Sequence, residues 1–194
     1  MSTVAHDVIA RTPKDVTDFW YSERVRAKWY AKDDAFDDEI RTRFKDLHHQ
    51  AHAGKLSSWS SDPDSALALV LLLDQMPRNM FRNRPESFAS DASALAVAKQ
   101  AIAAGHDDKV PATRRQHFYL PFMHSESVED QKRCVELCNT KMKDADDGGK
   151  MLTKYAEMHK VIIDRFGRFP HRNATLGRDN TPEETEYLKT NKGF

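Results

Sequence analysis

Apolar residues recur along almost the whole chain at three- and four-residue spacing, and no stretch alternates with period two for long enough to predict a strand. Val16, Phe19, Trp20, Ala27 and Tyr30 trace a first helix, opened by Thr12-Pro13-Lys14-Asp15, a capping-box pattern with proline at the first helical position. Phe36, Ile40, Phe44, Leu47 and Ala51 trace a second, from about Asp34 to a stop at Gly54, with acids crowded into its first turn. Asp62-Pro63 opens a third whose run at 66–73 is apolar all round, the pattern of a central helix, which Pro77 is expected to end or kink. After an irregular turn (78–86), Phe88, Ala92, Leu95, Ala96, Ile102 and Ala103 mark a fourth, closed by Gly105. Pro111 opens a short helix that Pro121 should turn. Ser127 starts the next, with Val128, Gln131, Val135, Cys138 and Met142 on one side. Leu152, Tyr155, Ala156, His159, Ile162, Ile163 and Phe166 then run to Gly167, and Thr181-Pro182-Glu183-Glu184 caps a last short helix.

The expectation is an all-α protein of seven or eight helices in one domain over 1–194. Residues 1–11 form an N-terminal extension, 144–150 a solvated loop and 174–194 a C-terminal segment with a short helix. Antiparallel pairs with short loops fit either a bundle or a tetratricopeptide-like stack, and no 34-residue self-similarity chooses between them.

Composition narrows the function classes. Lysine plus arginine equals aspartate plus glutamate at 30 each, so no global field draws the protein onto nucleic acid or an anionic membrane. Without a basic stripe along any helix, nucleic-acid binding is disfavoured. The N-terminus lacks a signal peptide's apolar run, and the longest apolar run is too short to span a bilayer. Cys134 and Cys138, four apart in a helical pattern, do not form a secreted disulfide framework. A soluble cytoplasmic protein is expected.

Polar residues depart from the ordinary in three clusters, each joining an apolar anchor, a proline and groups aimed by it. In "LLLDQMPRNMFRNRP", Asp74 comes off the most apolar helix, followed by Arg78 and Asn79. "YLPFMHSES" presents His124, Ser125 and Glu126. "RFGRFPHRN" interleaves Arg165, Arg168, His171 and Arg172 with Phe166, Phe169 and Pro170, and contains no acid. Arginine's planar fork suits carboxylate or phosphate, and histidine moves protons near neutral pH.

Structural roles compete with each of these. Asp74 could pair with Arg78 or Arg168, Asn79 and Asn173 could cap turns, and His159 on its apolar stripe reads as a hydrogen-bonded core histidine. His48 and His52 stand one helical turn apart, but no glutamate follows the first histidine and no third ligand is in view, so no metal is expected. Nor is there a nucleotide fingerprint or nucleophile-elbow serine.

"DQMPRNMFR", "YLPFMHSE" and "RFGRFPHRN", with "DFW" and "FDDEIRTRF" earlier in the chain, resemble the domain of unknown function 924 family, from about Phe19 to the C-terminus. The resemblance implies a tetratricopeptide-like all-α fold and supplies no reaction. Two functions remain open. One is a pocket for a small anion, in which Arg78, Arg168 and Arg172 clamp and Asn79 and Asn173 assist. Trp20 and Phe169 would wall it, and His124 or His171 would act as acid–base group oriented by Glu126 or Asp74, without cofactor or metal. The other is a helical-repeat module whose concave face grips an acidic peptide or chain terminus.

Overall fold

The computed structural model describes residues 11–29, 31–142, 147–191 and 193. The N-terminal extension up to residue 10, Tyr30 and residues 144–146 of the expected loop at 144–150 lie outside them. Among the described residues there are helices and no strand. The α-helices are α1 (Pro13–Trp20), α2 (Glu23–Arg26), α3 (Asp34–His52), α4 (Pro63–Val70), α5 (Asp91–Ala103), α6 (Ala112–Met123), α7 (Val128–Lys141), α8 (Asp147–Phe166), α9 (Asn173–Leu176) and α10 (Pro182–Leu188). Helix α4 runs on through a π-helical turn (Leu71–Gln75) into Met76–Met80. Among the described residues ten α-helices thus stand where seven or eight helices were expected: α1 and α2 divide the first expected helix, and α9 is an added short one. No described helix is long and apolar enough to cross a membrane.

The chain divides into two compact units, residues 1–82 with 86–110, and residues 111–194 with 83–85. In the first, α4 and its continuation pack against α1, α3 and α5. Every residue from Ala66 to Asp74 is buried there, which is why the 66–73 run can be apolar on all faces. Asp62 caps α4 by accepting from the Ser65 backbone N–H at 3.0 Å, and Thr12 with Asp15 forms the expected capping box on α1.

Pro77 does not end the helix. The Met76 N–H reaches back five residues to the Leu71 carbonyl, so the turn widens by one residue before the proline. Such a turn frees carbonyls, and side chains take them. His48 Nδ1 donates to the Leu72 carbonyl at 2.9 Å and Ser90 Oγ to the Leu73 carbonyl at 2.6 Å. A carbonyl only accepts, so His48 carries its proton on Nδ1. Burial is the largest cause of its pKa falling to about 4, leaving it neutral.

In the second unit α7 packs on both α6 and α8, and α6 also touches α8. Pro121 does not turn the chain either. It lies in the last turn of α6, where one missing N–H costs a single backbone bond and the proline φ suits the helix. Helix α8 begins at Asp147, earlier than its apolar stripe, and so takes in the end of the expected loop. It closes as expected: Gly167 adopts φ +67° and donates to the Ile163 carbonyl at 2.8 Å. Thr181 and Glu184 form the second capping box, on α10.

Candidate functional site

Each unit holds one polar constellation built on the sequence motifs. That of the first unit is an ion-pair network. Asp74, fully buried in the π-helical turn, lies 3.6 Å from Arg78 and accepts from Gln75 Nε2. Arg78 is bidentate on Asp91 at 3.0 and 3.1 Å, with its guanidinium 5.8 Å from the Phe88 ring centre. Buried Asn79 donates to Asp37 Oδ1 at 2.7 Å, and Arg82 clamps both oxygens of that carboxylate at 2.7 and 2.9 Å. Trp20 is buried in the first unit's core, stacked on Trp29, whose indole N–H donates to the Trp20 carbonyl at 3.0 Å. Sequence reasoning missed Asp37, Asp91 and Ser90, whose spacing from their partners runs from 13 to 45 residues.

The second unit brings "YLPFMHSES" and "RFGRFPHRN" together. Glu126 accepts from the Phe169 backbone N–H at 2.8 Å and takes a bidentate grip from Arg178 at 2.7 and 3.0 Å. Burial pushes the Glu126 carboxyl up, but Arg178 and the Phe169 N–H outweigh it and hold it below the usual range. Arg168 pairs with Glu184 through both Nε and Nη2 at 2.7 Å, and Nη2 also donates to the Asp179 carbonyl. The Arg168 hydrogen bond is the largest cause of the Glu184 pKa falling to about 2. Buried Asn173 donates to Asn180 and accepts from Arg178 Nε at 2.9 Å. Arg168 and Asn173 therefore knit the elbow to α10, by way of Glu184 and the turn before it.

Inside that frame an arginine and histidine rings gather around one aromatic ring. Phe169 is fully buried. The Arg172 guanidinium lies 4.6 Å from its ring centre, the His159 ring 5.6 Å away edge-on, and the His171 ring also 5.6 Å away. His124 follows at 6.3 Å from His159. The His159 Nδ1 donates to the Tyr155 carbonyl at 2.7 Å, which fixes its tautomer. Burial, then His124, lower the His159 pKa to about 3, and burial, then Arg172, lower that of His171 to about 4. Both are neutral at pH 7 and would gain protons if an anion offset the nearby charge.

His124 ends α6, and Gln131 holds that end in place. Its Nε2 donates to the carbonyls of Met123 at 2.6 Å and Ser125 at 2.7 Å. A fully buried glutamine on an otherwise apolar stripe was the available signal for this role. His159 is buried as a core histidine should be, yet it also belongs to the cluster, which its apolar stripe did not reveal. Among the described residues no group of three or more His, Cys, Asp or Glu side chains is placed to hold a metal ion. His48 and His52 stack in parallel at 6.0 Å in the first unit.

The family model for a bacterial protein of unknown function, domain of unknown function 924, matches residues 16–192. A solved structure of a protein of unknown function from Agrobacterium tumefaciens superposes with a TM-score of 0.84 at 42% identity, covering 92% of this chain and 97% of that one. No curated protein matches. The three motifs, the all-α fold and these two matches agree: the chain belongs to the domain of unknown function 924 family.

Proposed function

We propose that the second unit binds a small anion, a carboxylate or a phosphate, at the cluster around Phe169. The observation that carries this is the convergence of the Arg172 guanidinium and the His159 and His171 rings on the one buried Phe169 ring, with His124 beside them. The carboxylate at the cluster's edge, Glu126, is already held by Arg178 and the Phe169 N–H. An anion arriving there meets Arg172 in a poorly solvated setting, where charge-assisted hydrogen bonds are strong. It would also raise the pKa of each nearby histidine, so binding takes up protons. His171 or His124 can then act as general acid or base without a metal, with Glu126 and Arg178 fixing the backbone of the elbow. In this reading Arg168 and Asn173 are braces of the elbow, and Asp74, Arg78 and Asn79 belong to the first unit's ion-pair network.

The sequential packing of α6, α7 and α8 supports a tetratricopeptide-like stack. Two buried, unbridged cysteines, Cys134 and Cys138, support a reducing cytoplasmic setting. The test is a thermal-shift titration with inorganic phosphate, acetate and citrate at pH 6. A ligand that binds only the folded state raises Tm with concentration. Arg172→Lys should keep a weaker response and Arg172→Ala should abolish it. Equal responses in all three proteins, or none in the native protein, would refute the proposal.

A further inference from the structure

Helix α8, which packs on α6 and α7, buries Leu152, Ala156, Ile162 and Ile163 on its inner side. Its outer side is not polar throughout. Among the described residues five large hydrophobic side chains are exposed, and four of them stand on this one helix: Met151 at 53%, Tyr155 and Met158 at 43% each, and Val161 at 64%. At about 3.6 residues per turn all four fall within about 120° of one another, and Met151, Tyr155 and Met158 within about 60°. Scattered apolar side chains on a surface need no account, but a contiguous strip marks a contact face, and methionine and tyrosine are types that interfaces favour. Two charges flank the strip on its Val161 side. Lys154 and Glu157 are exposed, and neither side chain has a hydrogen bond or ion pair with a described residue. Their neighbours differ: Lys160 pairs with Asp164, and Arg165 with Glu183. The strip and its two charges share no side chain with the cluster around Phe169.

We infer that this strip is a docking surface for a second copy of the same chain, set antiparallel across a two-fold axis beside Tyr155. Such an axis reverses the helix while keeping each flank on its own side, so the Lys154 flank of one copy meets the same flank of the other. With the axis at Tyr155, Lys154 comes level with the partner's Glu157 to within one residue's rise, about 1.5 Å, and Glu157 with the partner's Lys154. Met151 comes level with the partner's Met158 to the same margin, and the two Tyr155 side chains meet at the centre. The unpaired cation and anion thus complement their own copies. A parallel pair would instead set this flank against the partner's opposite flank, away from both charges. The chain's equal numbers of acids and bases leave no net repulsion between copies. A single-helix strip belongs to the small interfaces, under about 1,200 Å², so the dimer is weak and depends on concentration.

The test is sedimentation velocity on the native protein from about 10 μM to about 1 mM, the span over which a small interface associates. Circular dichroism checks that each variant keeps its helix content. The native sedimentation coefficient should rise from monomer toward dimer. Met158→Asp, which places a charge in the seam, should stay monomeric throughout. Lys154→Glu and Glu157→Lys each set like charges together twice across the axis, and each alone should dimerise at least about tenfold more weakly. An equimolar mixture of those two variants restores both matched pairs and should dimerise as well as the native protein. Native protein that stays monomeric at every concentration overturns the inference and leaves the strip to a partner other than this chain. A dimer that Met158→Asp leaves intact, or a mixture of the two charge reversals no better than its components, also overturns it.

Discussion

The two units set their arginines in different company. In the first, Arg78 and Arg82 meet Asp74, Asp91 and Asp37, and the carboxylates are at least as numerous as the guanidiniums. In the second, Arg168 and Arg178 meet Glu184 and Glu126 in the same manner, and Arg172, whose charge also bears on Glu126, lies over a buried phenylalanine with histidine rings around it. A matched network holds a fold together and has little to offer an incoming charge. The second unit's network differs in gathering an arginine and histidine rings around one buried aromatic ring, inside a frame of ion pairs. Motif density alone therefore does not separate the two networks; the side chains gathered within each motif do.

The contrast breaks first at Asp37. Asp37→Ala leaves Arg82 and buried Asn79 without their acceptor and should cost about 3–5 kcal/mol in a urea unfolding experiment, the scale for a broken buried ion pair. A loss under 1 kcal/mol would mean the first unit's network is not structural. Glu184→Ala in the second unit should cost about 2–4 kcal/mol, since it leaves Arg168 without its carboxylate and halves a capping box. The Glu184 contribution has a defined pH window: its folded pKa lies near 2, below the ordinary ~4.3, so the stability is present above ~4.3 and lost as pH falls toward 2. A variant whose acid unfolding midpoint equals that of the native protein would contradict it.

Histidines sharpen the contrast. His48, His159 and His171 have folded pKa values of about 4, 3 and 4, below the ordinary ~6.5. Between those values the unfolded chain binds the extra protons, so stability is full above pH ~6.5 and falls as pH drops toward 4. His159→Gln should remove one proton from that dependence, flattening the slope between pH 6 and 4 by about 1.4 kcal/mol per pH unit. An unchanged slope would place His159 in a solvated position. The smallest expected effect is at Ser90: Ser90→Ala orphans the Leu73 carbonyl beside the π-helical turn and should cost about 1–2 kcal/mol. A neutral result would show that the turn satisfies that carbonyl in another way.

Much of this was legible in the sequence, for reasons that also mark the limit. Helices whose start is signalled by a local cap, at Thr12, Asp62, Ser127 and Thr181, begin where the pattern places them. Pro121 did not turn the chain and Pro77 marked a π-helical turn where an end was one of two expectations, because the consequence of a missing N–H depends on distant groups. Around Pro77, His48 and Ser90 take freed carbonyls from 24 and 17 residues away, and no local pattern announces that. Likewise the residues of the second and third motifs were legible as unusual, and the structure does bring His124, Glu126, His171 and Arg172 into one unit. Which arginine serves which acid was not legible, because Arg178 and Glu126 are 52 residues apart and Arg168 found Glu184 inside a capping box that had explained that glutamate already.

The central claim is that the cluster around Phe169 binds an anion and the first unit's histidines do not. The ring-proton NMR signals of the chain's nine histidines report on both at once in the native protein. During a phosphate titration at constant pH and ionic strength, the signals of His124, His159 and His171 should shift together along one saturating curve while those of His48, His49 and His52 stay in place. Shifts confined to His48, His49 and His52, or equal small drifts of all nine that never saturate, would contradict the account.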